Sequence, residues 1–187
     1  MKKSVIGGIA AAVLTVLLAT PAQAAEASVI HVPDDFAPTL SDTRAAGHYE
    51  VVGTGLHIWT EADPLIAGGV KKVAEYVATS KPLTTVGEPS LSYTATTGTT
   101  PPGFQLVVDF DNDGSADGIL IGEPGVYGNT WWLNNGAKQF VKDGAPNVGG
   151  GYGSDYWGTL DEWRAYFPNA VVTAFGFSSA PASWATG

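Results

Sequence analysis

Between Val107 and Gly122 the chain reads VVDFDNDGSADGILIG, which sets Asp109, Asp111, Asp113 and Asp117 within nine residues. Loops of the form D-x-D-x-D-G-x-x-D bind calcium because carboxylates at alternate positions converge on one point. A glycine permits the sharp turn, and the next backbone carbonyl completes the oxygen shell. Here the four aspartates supply side-chain oxygens, Gly114 the turn and Ser115 the carbonyl. The bidentate glutamate of an EF-hand is missing, its place taken by Leu120, and strand-like rather than helical sequence flanks the loop. The expectation is a calcium hairpin, with Glu123 the one nearby acid able to substitute. The alternative is a solvated acid-rich turn, since Asn, Asp and Gly are also what turns prefer. Repulsion weighs against it, because two carboxylates about 4 Å apart cost about 4 kcal/mol at an effective dielectric of about 20. Extracellular modules bind calcium with Kd on the order of 10⁻⁴ to 10⁻³ M, which suits a structural clamp filled by ambient ion. Its role would be stability, because a ligand that binds only the folded state stabilises that state.

A second group of residues could recognise a ligand. The segment YGNTWWLNNG places Trp131 beside Trp132, and in a strand neighbouring side chains leave opposite faces. One is expected between the sheets, while the other faces outward with Tyr127, Tyr156 or Trp157 and offers a platform on which a sugar ring stacks. The alternative is that loops or a short helix cover the second tryptophan. Catalytic machinery is not apparent. There is no H-E-x-x-H, no nucleophile elbow and no Gly-rich phosphate loop, and GYGSD lacks the second flanking glycine of G-x-S-x-G. His31, His48 and His57 lack metal-ligand spacing. A glycosidase needs two carboxylates about 5 to 10 Å apart; Glu123, Asp155 and Asp161 are free to serve, but nothing in the sequence pairs them.

The elements that must position these groups read as β. Twenty-four glycines, many threonines and short apolar stretches cut by turn residues describe an all-β sandwich. HYEVV and LHIWTE (48–61) flank Gly53 and Gly55 as a strand, a tight turn and a second strand. PSLSYTATT alternates Leu91, Tyr93 and Ala95 against polar neighbours and reads as a strand. FQLVVDF follows it, with Phe104, Leu106, Val108 and Phe110 on one face. PLIAGGVKKVAEYVATS (64–80) has helical spacing at Ile66, Val70, Val73 and Val77, but Gly68 and Gly69 argue for strand. In TLDEW, Thr159 and Glu162 have the spacing of a capping box, and Pro168 stops a short helix over about 160–167. A last strand, AVVTAFGF (170–177), follows.

Composition bounds the setting. Lys2 and Lys3 precede an apolar run from Val5 to about Ala19, then TPAQA, the pattern of a secretory signal peptide cleaved after Ala24. The run is shorter than the ~20 residues a membrane span needs. Residues 25–40 then form an N-terminal extension, and 41–187 a single β-sandwich domain. With no cysteine in the chain, disulfides, thiolate metal sites, a cysteine nucleophile and a lipoprotein anchor are excluded. Loss of the leader removes two basic residues and no acid, leaving a formal charge of −11. Nucleic acid is a poor partner for such a surface, which lacks the clustered Lys and Arg that phosphates require. An anionic membrane is disfavoured likewise, whereas divalent cations and neutral glycans are compatible.

The run from SDTRAAGHYEVVGTGLHIWTE through SYTATTGTTPPGFQLVVDFDNDGSADGILIGEP and WWLNNGAKQFVKDGAP to GYGSDYWGTLDEWRAYFPNAVVTAFGFS resembles a module recurrent in secreted bacterial proteins of unassigned function. The resemblance covers most of the chain after the leader. It implies a lectin-like or jelly-roll sandwich on an extracellular protein, with the Asp-rich loop and the WW segment among its constant features. Similar modules continue after AFGFS with a Gly-rich turn and another apolar strand, whereas SAPASWATG follows here. That departure implies a lost strand and an open sheet edge able to pair with another chain. Three classes follow: a secreted, calcium-clamped module that binds glycan or cell-wall polymer through outward aromatics near Trp131 and Trp132 and the loop from 150 to 158; an extracellular structural or protein-interaction domain; and, least favoured, a glycan-active enzyme.

Overall fold

In the computed structural model the described residues are 29–90, 92–95 and 101–179. The leader expected over 1–24 and the tail from residue 180 lie outside them. The fold is all-β. Strands β1 (Gly47–Val52) and β2 (Gly55–Thr60) form a two-stranded antiparallel sheet. Strands β3 (Val73–Pro82), β4 (Gly103–Asp109), β5 (Gly118–Gly122), β6 (Thr130–Leu133), β7 (Asn147–Val148), β8 (Tyr156–Thr159) and β9 (Val171–Ser179) form a second sheet. Its order is β3-β9-β4-β5-β6-β8-β7, antiparallel throughout. A large sheet, a small one and three short helices among the described residues are consistent with an all-β sandwich. The predicted first hairpin closes by pairing Val52 with Gly55, and Gly53 takes φ +61° in the two-residue turn, where a side chain would be strained.

The sheet's pleat sorts its residues onto two faces. On one, Leu106, Val108, Leu120, Trp131, Leu133 and Val172 pack under Leu83, Val141, Leu160, Trp163 and Ala170 as the main core. Helix α3 (Leu160–Tyr166) forms where TLDEW predicts it. The Thr159 hydroxyl accepts from the Glu162 amide (3.2 Å) while the Thr159 amide donates to Glu162 Oε2 (2.7 Å), the reciprocal capping box. That start aims Trp163 into the core, where its indole N–H donates to the Trp131 carbonyl at 3.1 Å. On the other face Tyr76, Val107 and Ala174 form a smaller cluster.

The structure departs from the expected elements in three places. Two further short helices, α1 (Pro124–Tyr127) and α2 (Gln139–Asp143), accompany the predicted one. Residues 92–95 of PSLSYTATT are not strand, and residues 91 and 96–100 lie outside the described set. Alternation marks a chain that fits a sheet, but both edges of β4 are already taken, by β5 and by β9, so this segment finds no partner there. Within 64–80, strand begins only at Val73, and Gly68–Val70 is a 3-10 turn. The final predicted strand, β9, sits in the interior of the sheet between β3 and β4 and presents no open edge. The edge strand β3 is itself covered in part by residues 36–44, whose amides Ala37, Asp42 and Arg44 donate to the carbonyls of Tyr76, Ala74 and Lys72. No helix among the described residues is long and apolar enough to cross a membrane.

Candidate metal centre and aromatic surface

The β4–β5 connection gathers the four aspartates. Val108 pairs with Gly118, so the strands deliver Asp109 and Asp117 to the mouth of the turn, and both are buried, 2% and 3% exposed. Asp111 and Asp113 project from its rim and are exposed. Asn112 at φ +60° and Gly114 at φ +93° supply the left-handed backbone that folds the loop back on itself. One oxygen from each of the four carboxylates lies within 4.8 Å of the others, a group that could hold a metal ion.

Backbone amides bind part of this charge. Asp113 and Gly114 donate to Asp109 Oδ1 (3.1 Å) and Oδ2 (2.8 Å); Phe110 and Asp111 donate to Asp117 Oδ2 (2.6 and 3.4 Å). Asp113 also donates to Asp111 Oδ1 (3.3 Å), and Ser115 to Asp113 Oδ1 (2.8 Å). These amides rigidify the turn and, among the described residues, leave Asp111 Oδ2, Asp113 Oδ2 and Asp117 Oδ1 without a backbone donor. Ser115, whose carbonyl is the expected ligand, is tied into the loop through its N–H. The solvated-turn alternative does not describe Asp109 and Asp117, which are withdrawn from water.

Sequence reasoning missed Lys138. Its ammonium lies 2.5 Å from Asp117 Oδ1 and 3.8 Å from Asp113 Oδ2. Asp117 Oδ1 is buried and accepts no well-aligned hydrogen bond, so the lysine charge is what faces it. The backbone places Lys138 there: its amide donates to the Asp117 carbonyl (2.8 Å), just ahead of α2. Contact with the Asp117 carboxylate is the chief reason the Lys138 ammonium is held above its ordinary pKa. The Asp111 carboxyl is also pushed up, first by lost hydration in the crowded turn and then by the Asp113 and Asp117 charges. Lys138 lies 21 positions beyond Asp117, and no local pattern links the two.

The adjacent tryptophans separate as the strand pleat requires. Trp131 faces the main core, 3% exposed, and its indole N–H donates to Glu88 Oε2 at 3.3 Å. Trp131 is therefore withdrawn from the surface, and Tyr156, half-buried, packs against the same core. Trp132 pairs in register with Trp157 on the opposite face, both half-buried. Trp157 lies 4.2 Å from Tyr152, centroid to centroid, and Tyr152 lies 6.1 Å from Tyr127 in an edge-on arrangement. Tyr152 lies in the expected 150–158 loop but is not singled out by the sequence; it arrives on this Gly-rich connection between β7 and β8, where Gly149, Gly151 and Gly153 all take positive φ. Gly153 lies against Trp132, since a Cβ there would come within 2.7 Å of the indole ring. The loop thus packs against Trp132, and beside it the half-buried rings of Tyr127, Tyr152 and Trp157 form a chain of contacts.

Glu123 adjoins this surface, accepting from the Trp132 indole N–H at 3.0 Å. Burial pushes its carboxyl up, and the indole hydrogen bond partly offsets that. On the other hairpin, His48 and His57 sandwich Trp59 at centroid distances of 5.2 and 4.7 Å, and each contacts a glutamate, Glu61 and Glu50. These histidines stack on an indole and are not gathered with the carboxylate cluster. No family model, curated protein or solved structure matches the chain.

Proposed function

We propose that this chain is a secreted β-sandwich module whose β4–β5 turn is clamped by calcium. The observation that carries the reading is the convergence of four aspartates with the buried Asp117 Oδ1 lacking a well-aligned hydrogen bond. A set of hard carboxylate oxygens with no imidazole or thiolate favours Ca²⁺ over Zn²⁺ or Cu²⁺. The ion would join the ends of β4 and β5, the central hairpin of the large sheet, and so would act on stability rather than as a sensor. Thermal unfolding in calcium and in chelator tests this. At about a hundred times Kd the ion adds about 2.7 kcal/mol, a rise of several degrees in Tm. An unchanged Tm would end the calcium reading.

A second reading concerns what the clamped module binds. Tyr127, Tyr152 and Trp157 place three rings at one end of the face opposite the main core, where the apolar faces of neutral sugar rings could pack against them. The ligand class is neutral glycan or cell-wall polymer, in keeping with the acidic surface. Retention on a panel of insoluble and soluble polysaccharides tests it, with Tyr152→Ala and Trp157→Ala abolishing retention. Passage through every matrix would instead favour an extracellular structural or protein-interaction domain.

A further inference from the structure

The geometry points to Lys138 as a built-in counter-ion that occupies the carboxylate cluster until a divalent cation displaces it. This rests on the calcium reading above and adds its regulation. The Lys138 ammonium lies 2.5 Å from Asp117 Oδ1 and 3.8 Å from Asp113 Oδ2, two of the three carboxylate oxygens not engaged by backbone amides. Calcium bound to those oxygens would lie about 2.3 to 2.6 Å from each, so ion and ammonium claim the same space. Both cannot stay, because like charges a few ångströms apart repel strongly where one wall of the site is buried.

The chain is built to let the lysine leave. Its backbone is tied to the Asp117 carbonyl by the Lys138 amide, so the Cα stays beside the centre. Its side chain, however, is 45% exposed, and a flexible four-carbon stem can carry the charge back into water. Asp117 has no such freedom: its side chain is fully buried and its second oxygen is engaged by the Phe110 amide at 2.6 Å. A buried carboxylate oxygen with no well-aligned hydrogen bond needs a cation at all times. Lys138 supplies one in the absence of metal, which keeps the turn folded and sets a threshold that calcium must exceed. A weak, exchangeable clamp follows, not a permanently loaded one.

Two measurements test this on the full secreted chain. In the first, calcium is titrated calorimetrically into wild type, Lys138→Met and Lys138→Arg. Removal of the charge with retention of the stem should tighten binding roughly tenfold or more, and arginine should keep the wild-type affinity. In chelator the Lys138→Met protein should melt below wild type. Equal affinities for wild type and Lys138→Met would overturn the counter-ion role while leaving calcium binding intact. Binding to Lys138→Met alone would support an occluding lysine, and heat from neither protein would remove the calcium reading and this inference together. The second measurement needs no variant: amine acylation of wild type read by mass spectrometry. Lys138 should label faster when calcium is added, with Lys142 unchanged. Calcium binding with no change in Lys138 labelling would sink the proposal even if the variants failed to fold.

Discussion

The Asp-rich turn and the aromatic surface belong to one sheet and are built in opposite ways. The turn is nine contiguous residues whose own amides hold its carboxylates, so its geometry is set locally, with Lys138 its one distant participant among the described residues. The aromatic surface draws Tyr127 from the end of α1, Trp132 from β6, Tyr152 from a Gly-rich loop and Trp157 from β8, and is held by register and ring contact. The difference concerns how each would fail. Damage to the turn releases buried charge at the hinge of the central hairpin and should be felt by the whole sheet. Damage to the aromatic surface should stay near the β7–β8 loop.

The variant expected to have the largest effect is Asp117→Ala. It strips the Phe110 and Asp111 amides of their acceptor and takes the carboxylate away from the Lys138 ammonium. Leaving the buried Phe110 amide without its charged acceptor costs up to about 3 kcal/mol, and the exposed Lys138 ammonium returns to water. Urea unfolding in chelator measures it, and the calcium response should vanish. A loss below about 1 kcal/mol would mean that the turn is not coupled to the sheet, and the contrast between the regions would fall.

That contrast also explains what could be read from the amino acids alone. Asp109 to Asp117, the Gly53 turn and the Thr159–Glu162 cap are legible because each is a short-range pattern whose geometry follows from spacing. Lys138 and Tyr152 are not legible, because they reach their partners through strand register and a loop path. Trp131 and Trp132 sit between these cases: the pleat guarantees opposite faces, but which face carries the core depends on α3 and Trp163 arriving from farther along the chain. The segment around Tyr93 shows the same limit from the other side. Its alternation satisfies a strand, and whether an edge is vacant is settled by β9, which returns from the end of the domain to fill it.

A middle-sized effect is expected from Gly153→Ala. The glycine sits at φ +86°, and an added Cβ would come within 2.7 Å of the Trp132 ring. Strained backbone plus a core-like overlap should cost about 1 to 3 kcal/mol. The change should alter tryptophan fluorescence and abolish any glycan retention while leaving the calcium-dependent rise in Tm as in wild type. Loss of that calcium response in Gly153→Ala would show that the two regions are coupled, contrary to their construction.

The smallest effect sharpens the comparison by asking whether charge matters at the aromatic end at all. Burial pushes the Glu123 carboxyl above its ordinary value of 4.5. An acid whose pKa is higher in the folded state favours folding when protonated. Its contribution is therefore full below about the unfolded value and is lost as pH rises through the raised one. Glu123→Gln mimics the protonated form and keeps an oxygen for the Trp132 indole N–H. The variant should be more stable than wild type by less than about 1 kcal/mol near neutral pH, with the gain disappearing below about pH 4. Urea midpoints at the two pH values measure it. A variant less stable than wild type at neutral pH would mean that the charged hydrogen bond to Trp132 outweighs the burial of Glu123. The aromatic end would then, like the turn, be organised around a carboxylate.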